Sequence, residues 1–127
     1  MTEREWLILL NLIAELSPLS AKRLLDAFGS AQAVFQAGTD QLRGVERITL
    51  ALAARIVAQA RHREAVAEEL RRARTAGCTV VTRVDEGFPP TLKTIPDPPP
   101  VLYVQGTFLK EDETAVAIVG SRRASLY

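Results

Sequence analysis

The sequence predicts a mainly α fold, with a small helical bundle over residues 1–76 and the first strands of a truncated α/β domain over residues 77–127. Two observations lead to this division. Six of the seven prolines crowd between Pro89 and Pro100, where neither a helix nor a central strand would tolerate them. The chain before this cluster shows helical spacing of its apolar residues, whereas the chain after it holds two short β-like runs.

The first part opens with the signs of an amphipathic helix. Thr2 and Glu5 stand at the spacing of a capping box, in which each side chain accepts a hydrogen bond from the other residue's backbone amide. Apolar residues then recur at helical intervals, which predicts one buried face. They are Trp6, Leu9, Leu10, Ile13 and Leu16.

Three more short helices are predicted, because residues that start helices alternate with glycines that end them. The predicted starts are Ser17 with Pro18, Ser30 and Thr39, and the predicted ends are Gly29, Gly38 and Gly44.

One long final helix is predicted over residues 49–76, because no glycine or proline interrupts them. Its distal part mixes arginines with glutamates three or four positions apart. This pattern fits ion pairs within a solvated helix face, and it also fits a face that contacts phosphates. The arginines are Arg61, Arg63, Arg71, Arg72 and Arg74, and the glutamates are Glu64, Glu68 and Glu69. His62, the one histidine, is predicted to lie on the surface.

Aromatic and sulfur side chains in this sequence favour packing over chemistry. Trp6, Phe28 and Phe35 fall at apolar helical positions and are predicted core residues rather than platforms for base stacking. Cys78 is the only cysteine, so it can form no internal disulfide, and no cysteine-based metal site is available. Its apolar surroundings predict a buried small residue rather than a nucleophile.

The segments 25–30 and 42–45 resemble the sterile-alpha-motif-like or helix-hairpin-helix domains of DNA-processing proteins. A working helix-hairpin-helix needs a glycine-apolar-glycine turn that lets backbone amides approach a phosphate. The corresponding places read Ser-Pro-Leu-Ser at residues 17–20 and Gly-Val-Glu at residues 44–46. Both hairpins lack one or both glycines, and Glu46 places a negative charge where a phosphate would dock. This departure favours a protein-interaction or structural role for the helical part over duplex binding.

The second part contains two short predicted strands joined by the proline cluster. Residues 78–82 have the β-branched content of a strand, and residues 101–104 read as another. Residues that precede prolines are pushed towards extended geometry, so residues 95–100 are predicted to form a stiff, extended strap. The strap is predicted to be a connector, although a proline-rich recognition motif is the alternative.

A candidate anion site follows the apolar run at residues 115–119. Residues 115–119 form a continuous apolar run of the kind found in buried parallel strands, and Gly120 with Ser121 comes directly after it. Such a strand-to-glycine junction builds phosphate sites in α/β sheets, and Arg122 and Arg123 would add charge-assisted hydrogen bonds. An ordinary strand-to-helix turn with solvated arginines is the alternative.

Composition and missing motifs exclude several classes of function. No G-x-G-x-x-G and no G-x-x-x-x-G-K-[ST] occurs, which argues against a nicotinamide enzyme or an ATPase. The apolar runs are shorter than a membrane span needs, and acidic residues occupy the start, where a secretory signal would be basic. A soluble cytoplasmic protein without membrane contact is therefore expected. The net charge of +1 gives no bulk attraction for nucleic acid.

Three blocks in the second part resemble the DprA (DNA-processing protein A, or Smf) family. They read Phe-Pro-Pro-Thr-Leu-Lys at residues 88–93, Ile-Pro-Asp-Pro-Pro-Pro-Val-Leu-Tyr-Val-Gln-Gly at residues 95–106, and Val-Ala-Ile-Val-Gly-Ser-Arg-Arg-Ala-Ser at residues 116–125. The blocks occur in order and at suitable distances, so the resemblance is specific over residues 85–127. The helical part is similar only in its general layout.

The resemblance implies a non-enzymatic protein of bacterial natural transformation and DNA recombination. It would bind and protect single-stranded DNA, load the RecA recombinase and form a homodimer through an extended Rossmann-like domain. By position, the phosphate-binding residues would be Gly120, Ser121, Arg122 and Ser125, with Arg122 as the principal charge and Arg123 as a weaker candidate. The resemblance implies no catalytic residue, metal or cofactor.

The resemblance also implies that the chain is an N-terminal fragment, because a Rossmann-like domain needs more strands and helices. Such a fragment is expected to bind DNA weakly or not at all. The alternative function is a helical protein-interaction or self-association module with little DNA binding of its own. A nucleotide-processing enzyme is a third reading, but no paired carboxylates or acid-base set near residue 120 support it.

Overall fold

The structure is a computed structural model that describes residues 1–120. The described chain is mainly helical, which confirms the predicted fold class at that level, and it contains a small two-stranded antiparallel sheet. The helices are α1 (Glu3–Asn11), α2 (Pro18–Phe28), α3 (Ala31–Gln36), α4 (Thr39–Arg43), α5 (Leu50–Gln59) and α6 (Glu64–Thr75). The strands are β1 (Thr79–Thr82) and β2 (Val101–Val104), and short 3-10 turns span Pro90–Lys93 and Lys110–Thr114.

The first helix lies at the centre of the molecule. The predicted capping box is present, since the Glu5 amide donates to Thr2 Oγ1 at 3.3 Å and the Thr2 amide donates to Glu5 Oε2 at 2.7 Å. The predicted single apolar face is wrong, because all five residues 6–10 are buried and α1 ends at Asn11. Helices α3, α5 and α6 contact α1, and both strands contact it as well, so every side of the helix is covered.

Local capping residues start the next helices. Ser17 accepts from the Ser20 amide at 3.2 Å, and Ser30 accepts from the Ala33 amide at 3.1 Å, as the sequence predicts. The fourth helix differs by one residue, because Gly38 rather than Thr39 is the cap. There the Gln41 side chain reaches back and accepts from the Gly38 amide at 2.9 Å, so Thr39 is already helical.

The long final helix predicted over residues 49–76 is wrong, because residues 60–63 break it into α5 and α6. Ile56 and Val66 are both buried, yet they are ten positions apart. On a straight helix that spacing would rotate one side chain about 80° away from the other. The break instead lets α5 and α6 each contact α1.

The two strands pair in register from Thr79 with Val104 to Thr82 with Val101. The first strand therefore begins one residue after the predicted start at Cys78. The proline cluster lies in the connection between β1 and β2. That connection includes the 3-10 turn Pro90–Lys93 and bends at residues 94–97, so the predicted extended strap is wrong over its first half.

One apolar core joins the helices to the sheet, because Val80 and Val101 belong to the same buried cluster as α1. Trp6 and Phe35 are buried, with ring centroids 5.3 Å apart, whereas Phe28 is half-buried against the cluster. Cys78 is half-buried rather than buried. The division between residues 76 and 77 stays a prediction.

The predicted buried strand at residues 115–119 is wrong for the described structure. These residues form no strand, and Val116, Ile118 and Val119 are 86%, 98% and 90% exposed. A strand requires a neighbour for its backbone hydrogen bonds, and β1 and β2 pair only with each other within residues 1–120.

Candidate nucleic-acid interface

The predicted phosphate loop is described only at its first residue. Gly120 is exposed, and an added Cβ would meet no atom of the described residues within 4 Å. Ser121, Arg122, Arg123 and Ser125 lie outside the described residues. Their predicted role at a phosphate therefore stays a prediction.

The two hairpin positions of the helical part are occupied by the chain's own groups. At the first, Ser17 Oγ accepts from the Ser20 amide at 3.2 Å and donates to Ser20 Oγ at 3.0 Å. At the second, Glu46 Oε1 lies 3.4 Å from Arg23 Nη2 and 3.8 Å from Arg47 Nε. A carboxylate between two arginines competes with a phosphate for the same positive charges. The interpretation that these hairpins are poorly suited to DNA stays a prediction.

Two of the arginines on α6 pair with glutamates of the same helix. Arg71 donates to Glu68 through Nη2 at 2.6 Å and Nε at 3.1 Å, and Arg72 lies 4.0 Å from Glu69. The hydrogen bond from Arg71 lowers the pKa of Glu68, and the same bond raises the pKa of Arg71. Glu68 and Arg71 are both exposed, so their pair mainly reduces the charge that α6 presents to solvent.

The other basic residues between positions 61 and 74 are not paired with a glutamate of α6 in the same way. The Arg63 guanidinium lies over the Trp6 ring, 5.0 Å from its centroid. Arg61 and Arg74 have no carboxylate within ion-pair distance among residues 1–120. His62 is exposed, as predicted, with Nδ1 3.4 Å from Glu64 Oε1. The α6 face therefore carries scattered positive charge rather than a continuous basic stripe.

A polar network at the start of α1 was missed by sequence reasoning. Arg4 donates from Nε to Asp85 Oδ2 at 3.2 Å and from Nη2 to the Val80 carbonyl at 2.8 Å. The same Asp85 oxygen accepts from the Thr82 amide at 2.8 Å and from the Thr82 hydroxyl at 3.1 Å. More than seventy positions separate Arg4 from its partners, and no local pattern marks the pairing.

A second contact joins the sheet to α6. The Tyr103 hydroxyl donates to Glu69 Oε1 at 2.7 Å. Partial burial and the neighbouring Glu69 carboxylate raise the pKa of Tyr103 to about 12. This contact and the Arg4 network both fix the sheet against helices, and neither holds a free group in position for catalysis.

An apolar pocket of about 630 Å³ lies beside the proline-rich connection. Its apolar lining includes Phe88, Pro90, Phe108 and Leu109. Two acids, Glu86 and Asp112, also line it, and Asp112 Oδ2 already accepts from the Leu109 amide at 2.7 Å. Over residues 1–120, no group of acidic, histidine and cysteine side chains is arranged to hold a metal, and no helix is long and apolar enough to cross a membrane.

Comparison with known proteins gives one match. Residues 79–127 match the model of the family described as DNA recombination-mediator protein A. The matched range begins with β1 and contains all three sequence blocks and the predicted phosphate loop. No curated protein and no solved structure matches the chain. The match supports the resemblance of residues 79–127 to the DNA recombination-mediator protein A (DprA) family.

Proposed function

We propose that the chain acts in DNA recombination by holding the backbone of single-stranded DNA at residues 120–125. The family match carries this proposal, because the matched range includes the whole loop and its description is that of a recombination mediator. Residues 115–127 contain Arg122 and Arg123 and no acidic residue, so the loop's own charge favours a phosphate.

Recognition of backbone phosphates would make binding sensitive to salt and largely independent of base sequence. Gly120 and Ser121 would supply backbone amides, Ser121 and Ser125 hydroxyls, and Arg122 the main charge. Protection of the strand, loading of RecA and homodimer formation are the wider role that we propose for the protein within its family.

Fluorescence anisotropy with a labelled thymidine oligonucleotide tests the loop. At low ionic strength, the 127-residue chain should bind weakly but measurably. Arg122→Ala should weaken binding at least about tenfold, because a charge-assisted hydrogen bond contributes roughly 1.5–3 kcal/mol. The slope of the logarithm of the affinity against the logarithm of the salt concentration should also fall by about one, because one fewer phosphate is neutralised.

Arg43→Ala is the matched control, since it removes one exposed arginine from the end of α4 in the helical part. It should leave the affinity within about twofold, as expected for a charge that touches no phosphate. Equal affinities for wild type and Arg122→Ala, or equal losses in both variants, would contradict the proposed loop.

The helical part supports a second candidate function, a docking surface for another protein. The ion pairs of Glu46 with Arg23 and Arg47 support this candidate, because a carboxylate that already neutralises these arginines disfavours a phosphate beside them. If the chain contacts DNA only through residues 120–125, its affinity for DNA should not depend on Glu46. Glu46→Gln should therefore leave oligonucleotide affinity within about twofold, and a large gain would show that this hairpin does receive DNA.

A further inference from the structure

The apolar pocket beside the proline-rich connection is lined by two separate stretches of the chain. Residues 86–91, which follow β1, form the first stretch, and Phe108, Leu109 and Asp112, which follow β2, form the second. The volume of about 630 Å³ falls within the range of sites that bind small ligands or the side chains of a peptide. All of these lining residues precede the proposed phosphate loop.

Hydrogen bonds hold the first stretch in one conformation. The Phe88 amide donates to the Asp85 carbonyl at 3.1 Å, and the Leu92 amide donates to the Pro89 carbonyl at 3.1 Å. The Asp85 side chain is in turn bound by Arg4, which connects this stretch to the start of α1. A ligand therefore meets a lining that is already formed, so little binding free energy is lost in ordering it.

The second stretch presents apolar side chains to water. Phe108 is 48% exposed and Leu109 is 59% exposed, and both line the pocket. Two hydrogen bonds hold Leu109, because its amide donates to Asp112 Oδ2 at 2.7 Å and the Asp112 amide donates to its carbonyl at 3.1 Å. Removing these two side chains from water would favour binding of an apolar group.

The charged residues that line the pocket are both acidic. Glu86 and Asp112 are exposed, and neither carboxylate forms an ion pair within residues 1–120. The nearby Lys93 ammonium lies over the Phe88 ring instead, 5.9 Å from its centroid. Two carboxylates without a cationic partner attract a positive group and repel a negative one.

We propose that this pocket binds a segment of a partner protein in which a leucine or phenylalanine lies next to a lysine or arginine. The apolar side chain contacts Phe108 and Leu109, and the neighbouring cation pairs with Glu86 or Asp112. A nucleic acid does not fit, because its phosphates would meet two carboxylates. The site is independent of residues 120–125, so its tests and those of the phosphate loop can fail separately.

Calorimetric titration with three synthetic peptides tests the chemistry of the ligand. The first reads Lys-Leu-Lys-Phe-Lys, the second replaces its lysines with glutamates, and the third replaces its leucine and phenylalanine with serines. Acetylated and amidated ends keep terminal charges out of the comparison. The 127-residue chain should bind the first peptide at least about tenfold more tightly than either of the others, since only the first offers both apolar burial and positive charge.

Two substitutions separate the apolar and the charged contributions to binding. Phe108→Ser should weaken binding of the first peptide at least about tenfold, because the apolar contact is lost. Glu86→Gln should weaken it about twofold to fivefold, the effect of an exposed ion pair. Both side chains are exposed, so neither change should disturb the fold. Leu50→Ser and Asp40→Asn, at exposed positions of α5 and α4, are the matched controls and should bind like wild type.

NMR titration shows where the peptide binds. Chemical-shift changes should be largest at the amides of Gly87 and Leu109 and should be lost in Phe108→Ser. The proposal is overturned if the chain does not bind the first peptide, if it binds all three equally, or if it prefers the acidic one. Shift changes at these amides that follow protein concentration without peptide, or equally tight binding of phenethylamine, would assign the pocket to a second copy or a small molecule and would overturn it too.

Discussion

Residues 6–10 and residues 115–119 are both unbroken apolar runs of five residues, and their environments are opposite. All of residues 6–10 are buried, whereas the three large side chains of residues 115–119 are at least 86% exposed. The first run has three helices and two strands packed around it, and the second has no partner strand in the described chain. Apolar side chains favour burial, but the neighbouring helices and strands determine whether a given run is buried.

The sharpest test of this comparison truncates one side chain in each run. Leu9→Ala should reduce the free energy of unfolding by about 2–5 kcal/mol, because it leaves a cavity in the centre of the core. Val116→Ala should change it by less than about 0.5 kcal/mol. Urea denaturation followed by circular dichroism, at a concentration where the chain is monomeric, measures both. Similar losses in the two variants would show that residues 115–119 are buried in solution.

A second test concerns what covers α1 on its sheet side. Asp85→Asn should reduce the free energy of unfolding by about 1–3 kcal/mol, because the Thr82 amide and hydroxyl and Arg4 all depend on one carboxylate oxygen. Asp97→Asn removes the same charge from an exposed position in the proline-rich connection and should have little effect. Thermal unfolding of both variants gives the comparison. Equal effects would show that the Arg4 network does not hold the sheet on α1.

The smallest expected effect appears at high pH. The pKa of Tyr103 is raised to about 12 from its ordinary value of 10.0, so the folded chain favours the protonated phenol. The resulting stability is fully present below pH 10 and is lost as the pH rises towards 12. The stability difference between wild type and Tyr103→Phe should therefore shrink over this interval. A difference that stays constant would indicate that the contact with Glu69 is not formed.

Features fixed by neighbouring residues could be predicted from the sequence. The caps at Thr2, Ser17 and Ser30 are confirmed, because each depends on an amide only three positions away. The β2 strand is also confirmed at residues 101–104. In contrast, the break between α5 and α6 carries no glycine or proline, since packing against α1 determines it.

The other features that the sequence predicted wrongly depend on contacts between distant parts of the chain. Burial of α1 on all sides depends on strands that lie almost seventy or more residues later, so spacing within the helix could not reveal it. Residues 115–119 have strand composition, but composition cannot supply the neighbouring strand. Of the candidate site, the three family blocks could be found in the sequence because they are linear motifs, and the match over residues 79–127 supports them.

The position of α1 also has a consequence for synthesis of the protein. The helix is made before the strands that cover it, and the Asp85 that binds Arg4 is made some eighty residues after Arg4. At about 5–20 residues per second, the ribosome leaves residues 6–10 without their full cover for roughly 5–15 seconds. During that interval the five apolar side chains of residues 6–10 lack part of their cover, and we expect chaperones that bind apolar segments to act on them.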